Sequence, residues 1–380
     1  MEDFILKDIV GRDIISELTN IGYDKNYCNI GSNKFLYRNI KIYNLTPAQA
    51  NILKQTAISV GADCATNKDV ITGRIELSNV ILGGNYSQLK KISEKLSYQP
   101  FKLKTLSENI KSFLIKKERK TKLVGILNVT PDSFSDGGKY FNLVDAEKHL
   151  VQMIEDGADV IDIGAESTKP YSKPVSDCEQ IKRICPILEF IQSENINVPI
   201  SVDTRSSNVA KYALENGASI INDVSGFNYD KNLANVVSNY DATVIIQHSL
   251  GTPENMQDSP IYQNIVEDVF FSLKDKIEYA KNIGIKNIIA DPGIGFGKTK
   301  FDNHKILNHI EEFFSLNCPI MVGLSRKSLL GLSESGDNDL KDALSLALSY
   351  PLLEKKIDYL RVHNVKLHKV ALDKLFAYTA

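Results

Sequence analysis

The chain has no tryptophan and only 5 cysteines in 380 residues. The cysteines, Cys28, Cys64, Cys178, Cys185 and Cys318, are odd in number and scattered, with no CxxC pair. Neither a disulfide framework nor a zinc knuckle is indicated, and thiols in a reducing cytoplasm are expected. Long apolar runs are also missing. Stretches such as Ile288-Ile289-Ala290 are strand-sized, far short of the roughly 20 residues that span a bilayer. Met1-Glu2-Asp3-Phe4 opens with acids and no basic region, which argues against a secretory signal. Charge of one sign is lacking: 45 Lys+Arg face 47 Asp+Glu, for a net charge of -2. Without a global basic field, nucleic acid is not expected as a partner, although a local anion site fits. No GxSxG nucleophile elbow stands near a strand end. Gly293-Ile294-Gly295-Phe296-Gly297-Lys298 has Pro292 where a P-loop needs glycine and Lys298 where a dinucleotide fingerprint does. It reads as a flexible turn.

A hydrophobic content of 43% over 380 residues supplies a sizeable core and suggests two domains, or one large barrel with an accessory region. The charge-rich stretch Lys116–Lys122 marks the boundary. Residues 1–115 read as a small mixed α/β domain. Lys34–Tyr43 is strand-like; Thr46 is a good N-cap before Pro47, and the helix runs through Leu53 and Ala57 to Gly61. Ile75–Leu82 alternates like a strand, and a second helix starts near Ser87 and ends before Pro100. Gly83-Gly84 reads as an ordinary turn. This domain shows no catalytic constellation, so a structural, dimer-forming or channelling role stays open.

Residues 120–380 change rhythm. Short apolar strands, Leu123–Val129, Val160–Gly164, Ile200–Thr204, Ile220–Val224, Val244–His248, Ile288–Pro292, Ile320–Leu324 and Tyr359–Val365, alternate with helical segments. This predicts a (β/α)8 TIM barrel, with an open doubly wound sheet as the alternative. In a barrel, chemistry sits at the C-terminal ends of the strands. Those ends carry Asn128, Asp162, Asp203, Asn222, His248, Asp291, Lys327, Arg361 and His363. Arg361 and His363, two apart, share one face, and Val362 points to the other. With Asn128 on the neighbouring strand they suit an anion such as diphosphate together with Mg2+, which takes few protein oxygens. Asp203, Asn222, Asp291 and Lys327 suit the donor and acceptor edge of a flat nitrogen heterocycle. His248 either lines the pocket or packs; His149, His304, His309 and His368 read as surface residues of helices or their flanks.

The motifs are specific. Gly125–Gly138 (GILNVTPDSFSDGG), Asp162–Pro170 (DIGAESTKP), Ser201–Thr204, Ile221–Gly226, Asp291–Thr299 (DPGIGFGKT), Ser325–Ser328 and Arg361–His363 follow in order. Over residues 120–380 the chain resembles dihydropteroate synthase. The resemblance implies condensation of 6-hydroxymethyl-7,8-dihydropterin diphosphate with 4-aminobenzoate in folate biosynthesis, by SN1-like loss of diphosphate. It implies a pterin pocket of Asp203, Asn222, Asp291 and Lys327. It implies a diphosphate site of Asn128, Arg361 and His363, with Asn128 also meeting Mg2+ and Val362 counted among the substrate-binding residues. Thr168 is implied as a loop contact to substrate, Pro170 and Ser328 lie at the aminobenzoate, and Asp162, Asp203 and Lys327 are the catalytic candidates. The loops after the first two strands are expected to close over the site. A cytoplasmic homodimer and a sulfonamide target are implied as well. Lys169, Tyr171 and Ala165 depart from the family pattern, which bears on the second loop and on sulfonamide sensitivity. A pterin-binding methyltransferase serving a corrinoid protein, or a non-catalytic pterin sensor, are the alternatives.

Overall fold

The structure is a computed structural model that describes residues 7, 9, 14–115, 117–130, 143–166, 174–251, 260–327 and 337–379. The chain divides into two compact units, Met1–Glu118 and Arg119–Ala380.

In the first unit, three antiparallel strands lie in the order β1 (Tyr37–Leu45), β3 (Ser78–Asn85), β2 (Asp63–Ala65). Helices Pro47–Ile58, Tyr86–Leu96 and Leu103–Leu114 join the sheet in one core, with Leu53, Leu82, Leu89, Ile92 and Ile110 buried together. Two helix starts are fixed by reciprocal caps. Thr46 and Gln49 exchange side-chain and backbone bonds, and so do Asn85 and Gln88, satisfying donors that a helix N-terminus leaves free. The sequence expectation is corrected at Gly83-Gly84, which are strand residues paired with Asn39 and Arg38. A Cβ at position 83 would sit 2.5 Å from the Tyr37 hydroxyl, so glycine lets the Tyr37 side chain lie across the sheet. Helix Leu103–Leu114 was not anticipated. Its N-cap, Lys102, is left-handed and makes no side-chain cap bond.

The second unit has eight parallel strands: β4 (Lys122–Asn128), β5 (Val160–Gly164), β6 (Ile200–Asp203), β7 (Ile220–Asp223), β8 (Thr243–Gln247), β9 (Asn287–Asp291), β10 (Met321–Gly323) and β11 (Tyr359–Val362). They run β10-β11-β4-β5-β6-β7-β8-β9. A parallel bridge from Ala290 to Ile320 joins β9 to the entry of β10. The sheet therefore closes on itself, and the open doubly wound alternative falls. Side chains alternate in and out. Val124, Val160, Ile220, Ile245, Ile289 and Met321 form the apolar floor of the barrel interior. Leu123, Leu127, Ile161, Ile163, Val202 and Ile221 belong to the larger core between strands and helices. The floor leaves the next inward positions, towards the strand C-termini, for polar groups.

Candidate active site

Register sets the site. Gly164 on β5 pairs with both Asn128 on β4 and Asp203 on β6; Asp203 pairs with Asn222, and Gln247 with Asp291. Asp162 is fully buried. Its Oδ2 accepts Arg361 Nε–H at 2.6 Å and the Asn222 amide at 3.1 Å. The same guanidinium donates to Asp203 Oδ2 at 3.2 Å. One arginine thus bridges two carboxylates across the barrel mouth, a geometry suited to its fork of donors. Burial pushes the Asp203 carboxyl up to about 7 against the pull of Arg361. Asp162 Oδ1, Asn222 Oδ1 and Ser201 Oγ are buried with no hydrogen-bond partner among the described residues. Buried acceptors without donors are costly. They suit a ligand that brings its own N–H groups.

Asp291 Oδ1 accepts the Gly293 N–H at 2.7 Å, and burial raises its pKa despite Lys327 and Lys298 nearby. Lys327 donates to the Ile294 carbonyl at 2.6 Å and stands 4.5 Å from the Phe296 ring centroid. Burial lowers the Lys327 pKa to about 8, while Asp291 works against the shift. The residue before it, Arg326, has a φ of 56°. Its guanidinium grips Asp342 through two bonds of 2.7 and 2.8 Å, and Asp342 also accepts from Asn364 at 3.1 Å. Asp342 therefore ties the segment carrying Lys327 to the end of β11.

His363 lies at that end. Its Nδ1 is 3.1 Å from Ser325 Oγ, which also accepts the His363 N–H at 3.3 Å. Burial, with Arg326 and Arg361 nearby, lowers the imidazole pKa to about 3. His363 is thus neutral at physiological pH and offers hydrogen bonds rather than charge. Asn128 Oδ1 occupies the space over Gly164, where a Cβ would come within 3.1 Å of it. Replacing Gly164 by alanine should push the Asn128 amide aside and lower turnover about tenfold, with the melting temperature nearly unchanged; steady-state assays and a melt check both.

Asn128, Asp162, Asp203, Asn222, Asp291, Lys327, Arg361 and His363 stand at the C-terminal ends of the strands or just beyond them. The Val362 side chain is 1% exposed and lies in the strand–helix core, on the opposite face from Arg361 as its alternation predicts. Thr168, Pro170 and Ser328 lie outside the described residues, as do Phe134, Lys169 and Tyr171. His368 is corrected from surface to fully buried, its Nδ1 2.8 Å from the Asn364 carbonyl. His248 packs: it is 5% exposed and 6.2 Å between ring centroids from Tyr262. Glu166, Arg205 and Gln247 were not anticipated. Glu166 Oε1 accepts from Arg205 at 3.1 Å and from the Val175 N–H at 3.0 Å, and Arg205 lies 4.2 Å over the Tyr229 ring. Motif spacing carries no sign of such side-chain-to-loop ties; the inward alternation of β8 does single out Gln247.

A closed parallel barrel whose polar mouth pairs buried carboxylates, an amide and a lysine defines a site for a flat heterocycle bearing N–H donors. Residues 124–363 match the pterin binding enzyme family. Dihydropteroate synthase of Clostridium beijerinckii is 41% identical over 249 residues, covering 65% of this chain and 90% of that protein. A bifunctional dihydropteroate synthase/dihydropteroate reductase of Helicobacter pylori is 34% identical over 339 residues, covering 88% of each. The structure of Xanthomonas albilineans dihydropteroate synthase with 4-aminobenzoic acid superposes with a TM-score of 0.63 at 34% identity, over 69% of this chain and 94% of that one. The chain belongs to the pterin-binding enzymes. Its reaction is that of the dihydropteroate synthases: a transferase joins 6-hydroxymethyl-7,8-dihydropterin diphosphate to 4-aminobenzoate and releases diphosphate.

Proposed function

We propose that Asp203, Asn222, Asp291 and Lys327 hold the pterin ring, that Arg361 and His363 receive the diphosphate, that Thr168 is a loop contact to substrate, and that Pro170 and Ser328 meet 4-aminobenzoate. One observation carries the pterin assignment: Asp162 Oδ1 and Asn222 Oδ1 are buried acceptors that await donors, and a pterin presents ring and exocyclic N–H groups. The bond from the 6-methylene carbon to the diphosphate oxygen breaks first, its electron pair leaving with diphosphate. The positive charge left on the ring system faces Asp162 and Asp203, fixed in place by Arg361. Such preorganised charge stabilises a transition state without reorganisation. The aromatic amine then attacks the methylene carbon and sheds its proton.

Mg2+ fits the residues present. Among the described residues no group of three or more His, Cys, Asp or Glu could form a protein cage, but Mg2+ keeps much of its shell for phosphate and water. The Asn128 amide oxygen would hold it at the β4 end. When bound, the ion supplies charge neutralisation for the departing diphosphate. We take the working form to be a cytoplasmic homodimer. All five cysteines are free, and no described helix is long and apolar enough to cross a membrane.

We assign the first unit, residues 1–115, an accessory role. The Clostridium beijerinckii relative is matched over 90% of its own length by 65% of this chain, so a barrel alone suffices there. The deciding experiment measures dihydropteroate formation by the full chain and by a chain starting near Lys116, each with and without Mg2+. Product from both, dependent on Mg2+, supports the whole reading. Tight binding of the pterin diphosphate without product from either chain would overturn it. A second reading rests on the Helicobacter pylori relative, whose match covers 88% of this chain and so extends beyond the barrel unit. It is that the full chain also reduces dihydropteroate with a hydride from a reduced nicotinamide or flavin. Dihydropteroate that persists with either donor would remove this reading.

A further inference from the structure

We propose that Lys298 is a positioning residue for pterin recognition: its ammonium folds the turn after β9 into the shape that presents Asp291 and Lys327 to the ring. The proposal rests on the pterin assignment above. Lys298 is 3% exposed, although lysine is almost never buried without partners. Its Nζ lies 2.9 Å from the Gly293 carbonyl, 3.0 Å from that of Phe296 and 3.3 Å from that of His248, and 2.9 Å from His248 Nδ1. The turn curls around the amino group, which these acceptors hold although burial lowers its pKa to about 7. His248 answers in kind. Burial and Lys298 push its pKa down to about 2, so the imidazole is neutral and its Nδ1 accepts.

The backbone of the turn has the conformation this requires. Gly293, Gly295 and Gly297 have φ values of 70°, 85° and 60°, a region in which side chains are strained. A Cβ at 293 would stand 1.9 Å from the His248 carbonyl. The remaining groups of the turn are tied as well. Gly295 N–H donates to Asn303 Oδ1 at 2.8 Å, and the Tyr262 hydroxyl donates to the Gly297 carbonyl at 2.7 Å. Two bonds lead from the turn to the pterin groups: Gly293 N–H to Asp291, and Ile294 carbonyl to Lys327 Nζ. The carbonyls of Gly293 and Phe296 that hold Lys298 flank Ile294. If the ammonium is removed, the peptide units that aim these two bonds lose their anchor. Lys298 therefore acts through Asp291 and Lys327, and not on substrate.

The test uses the full chain and Lys298→Met. KM for the dihydropterin diphosphate should rise at least tenfold while KM for 4-aminobenzoate stays within threefold. A merely structural role would move both together or neither. Should K298M fail to fold, Lys298→Gln, which keeps an amide donor, should give a smaller rise in the same single KM. Amide exchange of the unmodified chain adds a reading without any variant: the Gly293 and Gly295 N–H groups should be as protected as β9 before any pterin is added. A folded variant with both KM values within twofold of the parent would overturn the proposal, as would parallel shifts of the two. Free exchange at Gly293 and Gly295 until pterin binds would do so too. Absence of turnover in the unmodified chain would instead strike the synthase assignment, so the two failures are distinguishable.

Discussion

Arg361→Met should be the most damaging single substitution in the barrel, costing about 3–5 kcal/mol of stability, the usual penalty for breaking a buried ion pair from one side. The methionine fits the aliphatic path of the arginine stem but leaves Asp162 and Asp203 facing each other without a cation. Asp162 is fully buried and Asp203 8% exposed, so water cannot take over. Urea denaturation followed by circular dichroism reads the loss as a lower midpoint. The pH dependence carries a sign of its own. Asp203, already pushed up to about 7 with Arg361 present, would rise further without it. A carboxyl with a raised folded pKa keeps its stability below the unfolded value near 4 and loses it as pH climbs through the folded pKa. R361M should therefore approach the parent in stability near pH 4 and fall away towards pH 8. Turnover should drop about 10²–10³-fold, the scale set by removing one charge-stabilising donor. Adding Asp162→Asn to R361M should recover part of the stability but none of the turnover, since the pair is coupled. A midpoint unchanged by R361M would mean that the bridge does not hold the barrel mouth.

Lys327→Met should have the opposite profile, a large catalytic loss with little change in stability. Burial already works against the Lys327 charge, which is why its pKa falls to about 8. A methionine of similar length removes that penalty and the bond to the Ile294 carbonyl together. Folding stability should also become less sensitive to alkaline pH. A lysine with a lowered folded pKa makes stability rise between about pH 8 and its unfolded value near 10.5, because there the unfolded chain binds the extra proton. K327M should show a shallower rise. Pterin recognition, by contrast, loses a charge-assisted donor worth about 1.5–3 kcal/mol, and Asp291 loses the nearby cation that most favours its charged form. The expected result is a fall of about 10²-fold in kcat/KM for the pterin substrate, measured with 4-aminobenzoate saturating. A stable variant with normal pterin kinetics would remove Lys327 from the pocket.

Much of this site was legible because the barrel turns sequence alternation into place. Once β5, β6, β7 and β9 are recognised, Asp162, Asp203, Asn222 and Asp291 must point inward above the apolar floor, and the pairing register puts them at the mouth. The same alternation places the Val362 side chain on the outer face, in the strand–helix core. What was not legible depends on loops folding back. Nothing in the spacing of Arg326 and Asp342 shows that they meet, since the contact depends on a left-handed residue at 326. Lys298 followed a glycine-rich turn that looked flexible, but its ammonium supplies the order that the glycines lack. In the first unit, helix Leu103–Leu114 carries no capping signal, and Pro100 before it reads as an end rather than a beginning.

The bridge from Arg361 to Asp162 and Asp203 has a consequence for how the two halves of the substrate are received. Arg361 is already bonded to both Asp162 and Asp203, and the neutral His363 adds no cation beside it. An uncharged ring can settle there with little dependence on ionic strength. The diphosphate finds Arg361 already engaged. Its arrival must loosen that bridge or bring its own counter-ion, so salt and divalent cations should govern the hold on the leaving group and barely touch the hold on the ring.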